Sequence, residues 1–169
     1  PSSLAAEELK IGVVNINSCV DNSKLGKEKR ITFENEQKKW VIILEQADKQ
    51  LRELAEKLQN KDYLEGLSPE GEESLKRQFA EANEKFHRQQ QTYYQEMQQK
   101  YQQLYQEVAQ GVHQASKQIA AAQGYTLLVT QEHCVYYSPT MDVSSTVIQV
   151  MDQQFDAAKQ ETQETRTDH

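Results

Sequence analysis

The spacing of hydrophobic positions changes along the chain, and each spacing predicts a different element. Lys10 to Ile16, "KIGVVNI", is short, apolar and β-branched, as a buried strand would be. Asp21-Asn22-Ser23 then supplies helix-start chemistry, because each side chain can accept from a free backbone N–H. Nothing after Gly26 breaks a helix before Asn60. Within that stretch Trp40, Leu44, Ala47, Leu51, Leu54 and Leu58 recur at steps of 4, 3, 4, 3, 4, with Phe33 one heptad before Trp40. Such a seam belongs to a helix packed along its length on another helix.

The seam stops at "NKDYLEGLSPEGEE". Gly66 can end the first helix, Ser68 can cap a second, Pro69 suits its first position, and Glu70, Glu72 and Glu73 suit the positive end of its dipole. The segment reads as the turn of a helical hairpin. The second helix is expected from about Pro69 to Gln123. Its stripe is heptad-like through Leu75, Phe79, Ala82, Phe86 and Tyr93. It then continues as Met97, Tyr101, Leu104, Val108, Val112, Ala115, Ile119 and Ala122, an eleven-residue repeat that straightens the pair or winds it slightly right-handed. "QQQTYYQEMQQKYQQLYQEV", low in complexity by composition, is therefore regular in pattern.

Gly124 predicts a helix C-cap. Two strands are expected after it, Tyr125–Thr130 and Cys134–Tyr137, joined by a short polar turn and ended by Ser138-Pro139. Asp142 or Ser144 can cap a final helix carrying Val147, Met151 and Phe155, and the polar chain after Asp156 is expected to fray. The predicted fold is α+β: a small β body from residues 10–20 and 124–155, an antiparallel helical-hairpin (coiled-coil) arm over 21–123 with its turn near 62–69, and a disordered tail over 156–169. At ~1.5 Å per residue the two helices reach roughly 55 and 80 Å, so the second overhangs the first and can carry the sheet. Three strands apolar on more than one face cannot be covered by one arm and one short helix. Association through the sheets is expected, its number unspecified.

The arm also carries apolar groups that its own seam does not use. Val41, Ile42 and Ile43 lie beside or opposite the Trp40/Leu44 seam, and Tyr63, Leu64 and Leu67 stand at the turn. Tyr94 and Tyr105 lie off the seam eleven residues apart, with Tyr101 between them. Tyrosine faces with glutamine amides make a surface that can hold unfolded chain without specificity. Ile42, Ile43, Tyr63, Leu64, Tyr94, Tyr101 and Tyr105 are the candidate binding residues, although Ile42 and Ile43, toward the body end of the first helix, suit a contact of the arm with the body better than cavity lining.

Composition narrows the classes. The 169 residues are 37% hydrophobic and 27% charged, with a mean hydropathy of -0.87, which suits long amphipathic helices. No run approaches the ~20 apolar residues of a membrane span. Nothing resembling a leader follows Pro1, so a signal peptide is expected to have been removed or never to have existed. A net charge of -7 argues against nucleic acid and anionic membranes. Cys19 and Cys134 suit two buried small hydrophobes or a single bridge. His87, His113 and His133 lack partners at ligand spacing, and neighbouring side chains of the strand-like "EHC" would point to opposite faces, so no metal is implied. There is no phosphate loop, nucleophile elbow or acid/base pair, hence no enzyme and no cofactor.

"KIGVVNINSCVDNSKLGK" resembles the opening strand and first helical turn of the Skp (OmpH-like) periplasmic chaperones. "GYTLLVTQEHCVYYSPTMDVSSTVIQVM" resembles that family's closing hairpin, its turn with Asp142-Val143-Ser144, and its last helix. The resemblance covers about residues 10 to 155. It implies a jellyfish-shaped homotrimer, with Val13, Val14, Ile16, Leu127, Leu128, Val129 and Val135 in the trimer body and three hairpins around a cavity. It also implies an ATP-independent holdase of the periplasm that keeps unfolded outer-membrane β-barrel proteins from aggregating. The best-known members are basic, whereas Asp62 to Glu73 here holds five acidic residues and no basic one. That departure argues against binding lipopolysaccharide or anionic bilayers. The alternative is a coiled-coil scaffold or adaptor docking a folded partner. A prefoldin-like chain is disfavoured, because strands here flank the hairpin on both outer sides.

Overall fold

The computed structural model of the chain describes residues 8–167, with side chains described as far as residue 164. In order these form β1 (Ile11–Val14), α1 (Ile16–Asn22), α2 (Lys24–Gln59), α3 (Lys61–Glu65), α4 (Pro69–Gln123), β2 (Leu127–Thr130), two 3-10 turns (Gln131–His133 and Pro139–Met141) and α5 (Ser144–Thr167). They divide into two compact units, one holding the chain up to Ile31 and from Gln102 onward, the other Thr32–Tyr101.

In the first unit β1 pairs in parallel with β2, in the register Ile11↔Leu127 to Val14↔Thr130. Parallel neighbours need a crossover, and here the crossover is everything from α1 to α4. On the other side of β1, Val13 bridges to Asp142, and the Val143 N–H donates to the Val13 carbonyl at 2.9 Å. A strand flanked on both sides is buried, as Val13 and Val14 are. Gly12 is small for a reason: a Cβ there would come 2.6 Å from a Leu128 methyl.

The strand expected over Lys10–Ile16 stops at Val14. Asn15 turns the chain instead, its side-chain oxygen accepting from the Ser18 N–H at 2.9 Å while its own N–H donates to Ser144 Oγ at 2.8 Å. Capping chemistry thus overrides the β-branched run, and Ile16 is buried in a helix rather than a strand. The Asp21-Asn22-Ser23 signal is placed as expected. Ser23 is buried, its N–H donates to the Cys19 carbonyl at 3.0 Å to end α1, and its Oγ accepts from Gly26 to begin α2. At the far end Asn60 interrupts the helix and caps α3, and Ser68 Oγ caps α4 by accepting from the Gly71 N–H at 3.1 Å. Gly124 adopts φ 70°, the left-handed conformation of a helix C-cap.

The expected third strand is absent. Gln131–His133 forms a tight turn closed by the Cys134 N–H on the Gln131 carbonyl at 3.0 Å, with Thr130 Oγ1 and His133 Nδ1 2.6 Å apart. A hairpin needs a turn that reverses the chain onto its neighbour. This one does not, so Cys134–Tyr137 has no ladder partner among the described residues and Val135 stands fully exposed. Beyond Asp156, where a frayed tail is expected, α5 is helical as far as Thr167, and His169 and its neighbour lie outside the described residues. Ion pairs Lys24–Asp156 and Lys159–Glu28 tie this polar stretch to α2, and Lys159 lies 4.7 Å over the Phe155 ring. Helix-forming Ala, Lys, Gln and Glu need little more than that.

The core of this unit is the eleven-residue stripe of α4, with Leu104, Val108, Val112, Ala115 and Ile119 buried alongside Cys19, Val20, Val147 and Met151. Gly111 lets Leu25 and Met151 approach that stripe closely. In the second unit Leu54, Leu75 and Met97 are the buried apolar side chains.

Candidate binding surface

Two ring contacts set the pairing of α2 with α4 in the Thr32–Tyr101 unit. Phe33 meets Tyr101 edge-on with centroids 6.1 Å apart, and Trp40 meets Tyr93 at 6.3 Å. Trp40 is further held by its indole N–H, which donates to the Glu96 carboxylate at 2.9 Å, and the Gln37 amide donates to the Tyr93 hydroxyl at 3.3 Å. Counting outward from Trp40/Tyr93 pairs Leu44 with Gln89, Ala47 with Phe86, Leu51 with Ala82, Leu54 with Phe79 and Leu58 with Leu75. Both seams expected from the heptads therefore face each other.

That pairing sorts the candidate residues. In an antiparallel pair, the positions one step after each seam residue fall on the same flank, since about 100° of rotation separates successive residues. Val41 follows Trp40 and Tyr94 follows Tyr93, so the two share a flank, and Tyr101, one heptad on, continues it within about 20°. All three are exposed, Tyr94 to 69% and Tyr101 to 50%, although Tyr101 also touches the seam through Phe33. Tyr94 is braced by its neighbour Tyr93 at 5.4 Å. Rigid aromatic faces beside glutamine amides are suited to apolar chain segments.

The other candidates are not brought to this flank. Ile42 is about 200° from Trp40 and points away from the partner helix, while Ile43 lies on the opposite flank; both are exposed. Tyr63 and Leu64 belong to α3, where Lys57 sits 5.8 Å over the Tyr63 ring. Tyr105 lies in the first unit, and its hydroxyl donates to the Glu132 carboxylate at 2.8 Å. Of the residues expected in an association body, Val13, Val14 and Ile16 are buried within the single chain, Leu127 is half exposed, Leu128 and Val129 are partly covered, and Val135 is exposed. Tyr136, 86% exposed, was missed as a surface residue because "CVYY" read as a buried strand. A polar turn of only three residues before Cys134 was the available sign that this segment need not return.

Electrostatics around these surfaces are those of ordinary exposed pairs. Hydrogen bonding from Lys39 holds Glu36 below the usual carboxylate range, and hydrogen bonding to Glu72 holds Lys76 above the usual amine range. Burial, aided by Asp142, pushes the Cys19 thiol up to about 11, which makes it inert. Cys19 and Cys134 are both free. Among the described residues no His, Cys, Asp and Glu group could hold a metal, and no helix is long and apolar enough to cross a membrane.

Comparison with known proteins matches residues 10–151 to the family model described as outer membrane protein (OmpH-like). The chain is 28% identical over 145 residues to a Skp-like protein of Chlamydia muridarum, covering 86% of this chain and 84% of that one. It is 26% identical over 153 residues to a Skp-like protein of Chlamydia pneumoniae, covering 90% of each. Its fold is similar to a crystal structure from Caulobacter crescentus described as OmpH-like, with a TM-score of 0.73 and 18% identity over 86% of this chain and 85% of that one. A β1 strand crossed by a long helical hairpin before its parallel partner, matched by the family model from Lys10 through Met151, places this chain in the OmpH-like family.

Proposed function

We propose that this protein is a non-enzymatic chaperone of the periplasm that holds unfolded outer-membrane proteins, without nucleotide, against its helical hairpins. The observation that carries this reading is the exposed flank of Val41, Tyr94 and Tyr101 beside the Phe33/Tyr101 and Trp40/Tyr93 contacts of the hairpin. Apolar and aromatic groups exposed beside a seam need a further contact, and their spread along two helices suits an extended chain better than one compact docking site. Membership of the OmpH-like family and the Skp-like relatives support the same reading. Association into a homotrimer is part of the proposal. The exposed Val135 and Tyr136 and the half-exposed Leu127 offer apolar surface for copies to cover.

Light scattering, alone and after addition of a urea-unfolded outer-membrane β-barrel protein, tests both parts. The expected result is a particle of three times 19.5 kDa that takes up the unfolded chain as a soluble complex. A three-chain particle that leaves the client to aggregate would support the scaffold alternative, and a monomer would remove the trimer.

A further inference from the structure

The seam of the Thr32–Tyr101 unit contains one layer that its own periodicity does not explain. Steps of 4, 3 and 4 from Leu75 through Phe79, Ala82 and Phe86 land next on Gln89 and then on Tyr93. A seam position calls for an apolar side chain, yet Gln89 occupies it, level with Leu44. Its side-chain oxygen is buried and, among the described residues, has no hydrogen-bond donor. The layers around it do not compensate. Between Leu54 and Leu75 at one end and Met97 at the other, no described side chain of the seam is fully buried, and Ala47 fills little of the next layer. The repeat itself also changes just beyond, from heptads to steps of eleven after Tyr93, which alters the local supercoil.

We propose that the Leu44/Gln89 layer is a built-in opening point, at which α2 and α4 part locally while the Leu54/Phe79 and Leu58/Leu75 layers remain closed. The physical drive is hydration: a buried amide oxygen with no donor is better off wet, and Leu44 and Gln89 are themselves only half-buried. Opening uncovers Leu44 and Phe86 and loosens the Trp40/Tyr93 contact beside them, so apolar surface is produced on demand. The benefit to binding rests on the function proposed above, whereas the opening itself does not.

Amide hydrogen exchange on the full-length protein without client tests the opening. Amides of residues 40–47 and 86–93 should exchange faster than those of 51–58 and 75–82. Gln89→Leu should slow the first group about tenfold, the order expected when one buried unsatisfied acceptor is removed, and leave the second unchanged. Gln89→Glu, which adds a charge to the layer, should speed the first group, so a misfolded leucine variant does not leave the matter open. Equal protection of the two groups in the parent protein, or no response to either substitution, overturns the proposal. Client uptake that persists despite such a result would leave the binding flank of Val41, Tyr94 and Tyr101 standing.

Discussion

Ser23 and Gly26 together join α1 to α2, and neither tolerates change easily. The Ser23 hydroxyl is buried and is the acceptor for the Gly26 N–H at 3.0 Å, so Ser23→Ala leaves a donor bare and should cost about 1–2 kcal/mol in urea unfolding. A Cβ on Gly26 would run into the Val20 backbone rather than a flexible side chain. Gly26→Ala should therefore cost at least about 2 kcal/mol, despite alanine's better helix propensity; a gain in stability would show that α1 can move aside. Glu107 offers a pH test. Hydrogen bonding from Lys29, opposed by desolvation and aided by Gln103, holds its carboxyl below its ordinary 4.5. A lowered folded-state value means stability that is present above pH 4.5 and is lost as pH falls through the folded value. Glu107→Gln should flatten the dependence of Tm on pH below 4.5 and leave its shape near neutrality unchanged.

Among the elements, α5 shows how packing decides what propensity leaves open. Val147 and Met151 are buried on one side of it, and Met151 reaches the space above Gly111. Met151→Ala should cost roughly 2–5 kcal/mol by removing that contact, read as a lower urea midpoint at unchanged slope. The continuation beyond Asp156 is exposed, and the ion pairs that tie it to α2 join half-exposed groups, of a kind that contributes little. High salt should loosen that last stretch first, seen as faster amide exchange after residue 156, with the Val147 region unaffected. The heptads of α2 and α4 are legible in the sequence because a two-helix seam is a local, repeated demand on side chains. "CVYY" is misleading because a strand is defined by its neighbour, and no residue within the segment names that neighbour.

For the whole molecule, the proposed binding flank and the proposed assembly are separable. Tyr94 and Tyr101 lie in a unit distinct from the β1/β2 sheet. Tyr94→Ser with Tyr101→Ser should weaken the capture of an unfolded outer-membrane protein at least several-fold while the particle keeps its mass in light scattering. Undiminished capture, or loss of the particle, would sink the flank as the binding site. Tyr105 is left out of this pair because its hydroxyl is bonded to Glu132, so its loss would disturb the turn after β2 as well.

The sequence by itself determined the long helical hairpin between its flanking strands, both helix seams, the hairpin turn and the left-handed Gly124, because periodicity and capping act between residues a few positions apart. It also carried the family resemblance in its two ends. Only the tertiary structure decided that β1 is flanked by β2 and the Asp142 segment, that Ile16 turns into a helix, and that Val135 and Tyr136 stay outside the sheet. It also divided the candidate residues among different flanks, since which tyrosines and isoleucines share a surface depends on how α2 and α4 are paired. That pairing is set by contacts such as Phe33 with Tyr101 and Trp40 with Tyr93, between residues more than fifty positions apart, and no local pattern encodes it.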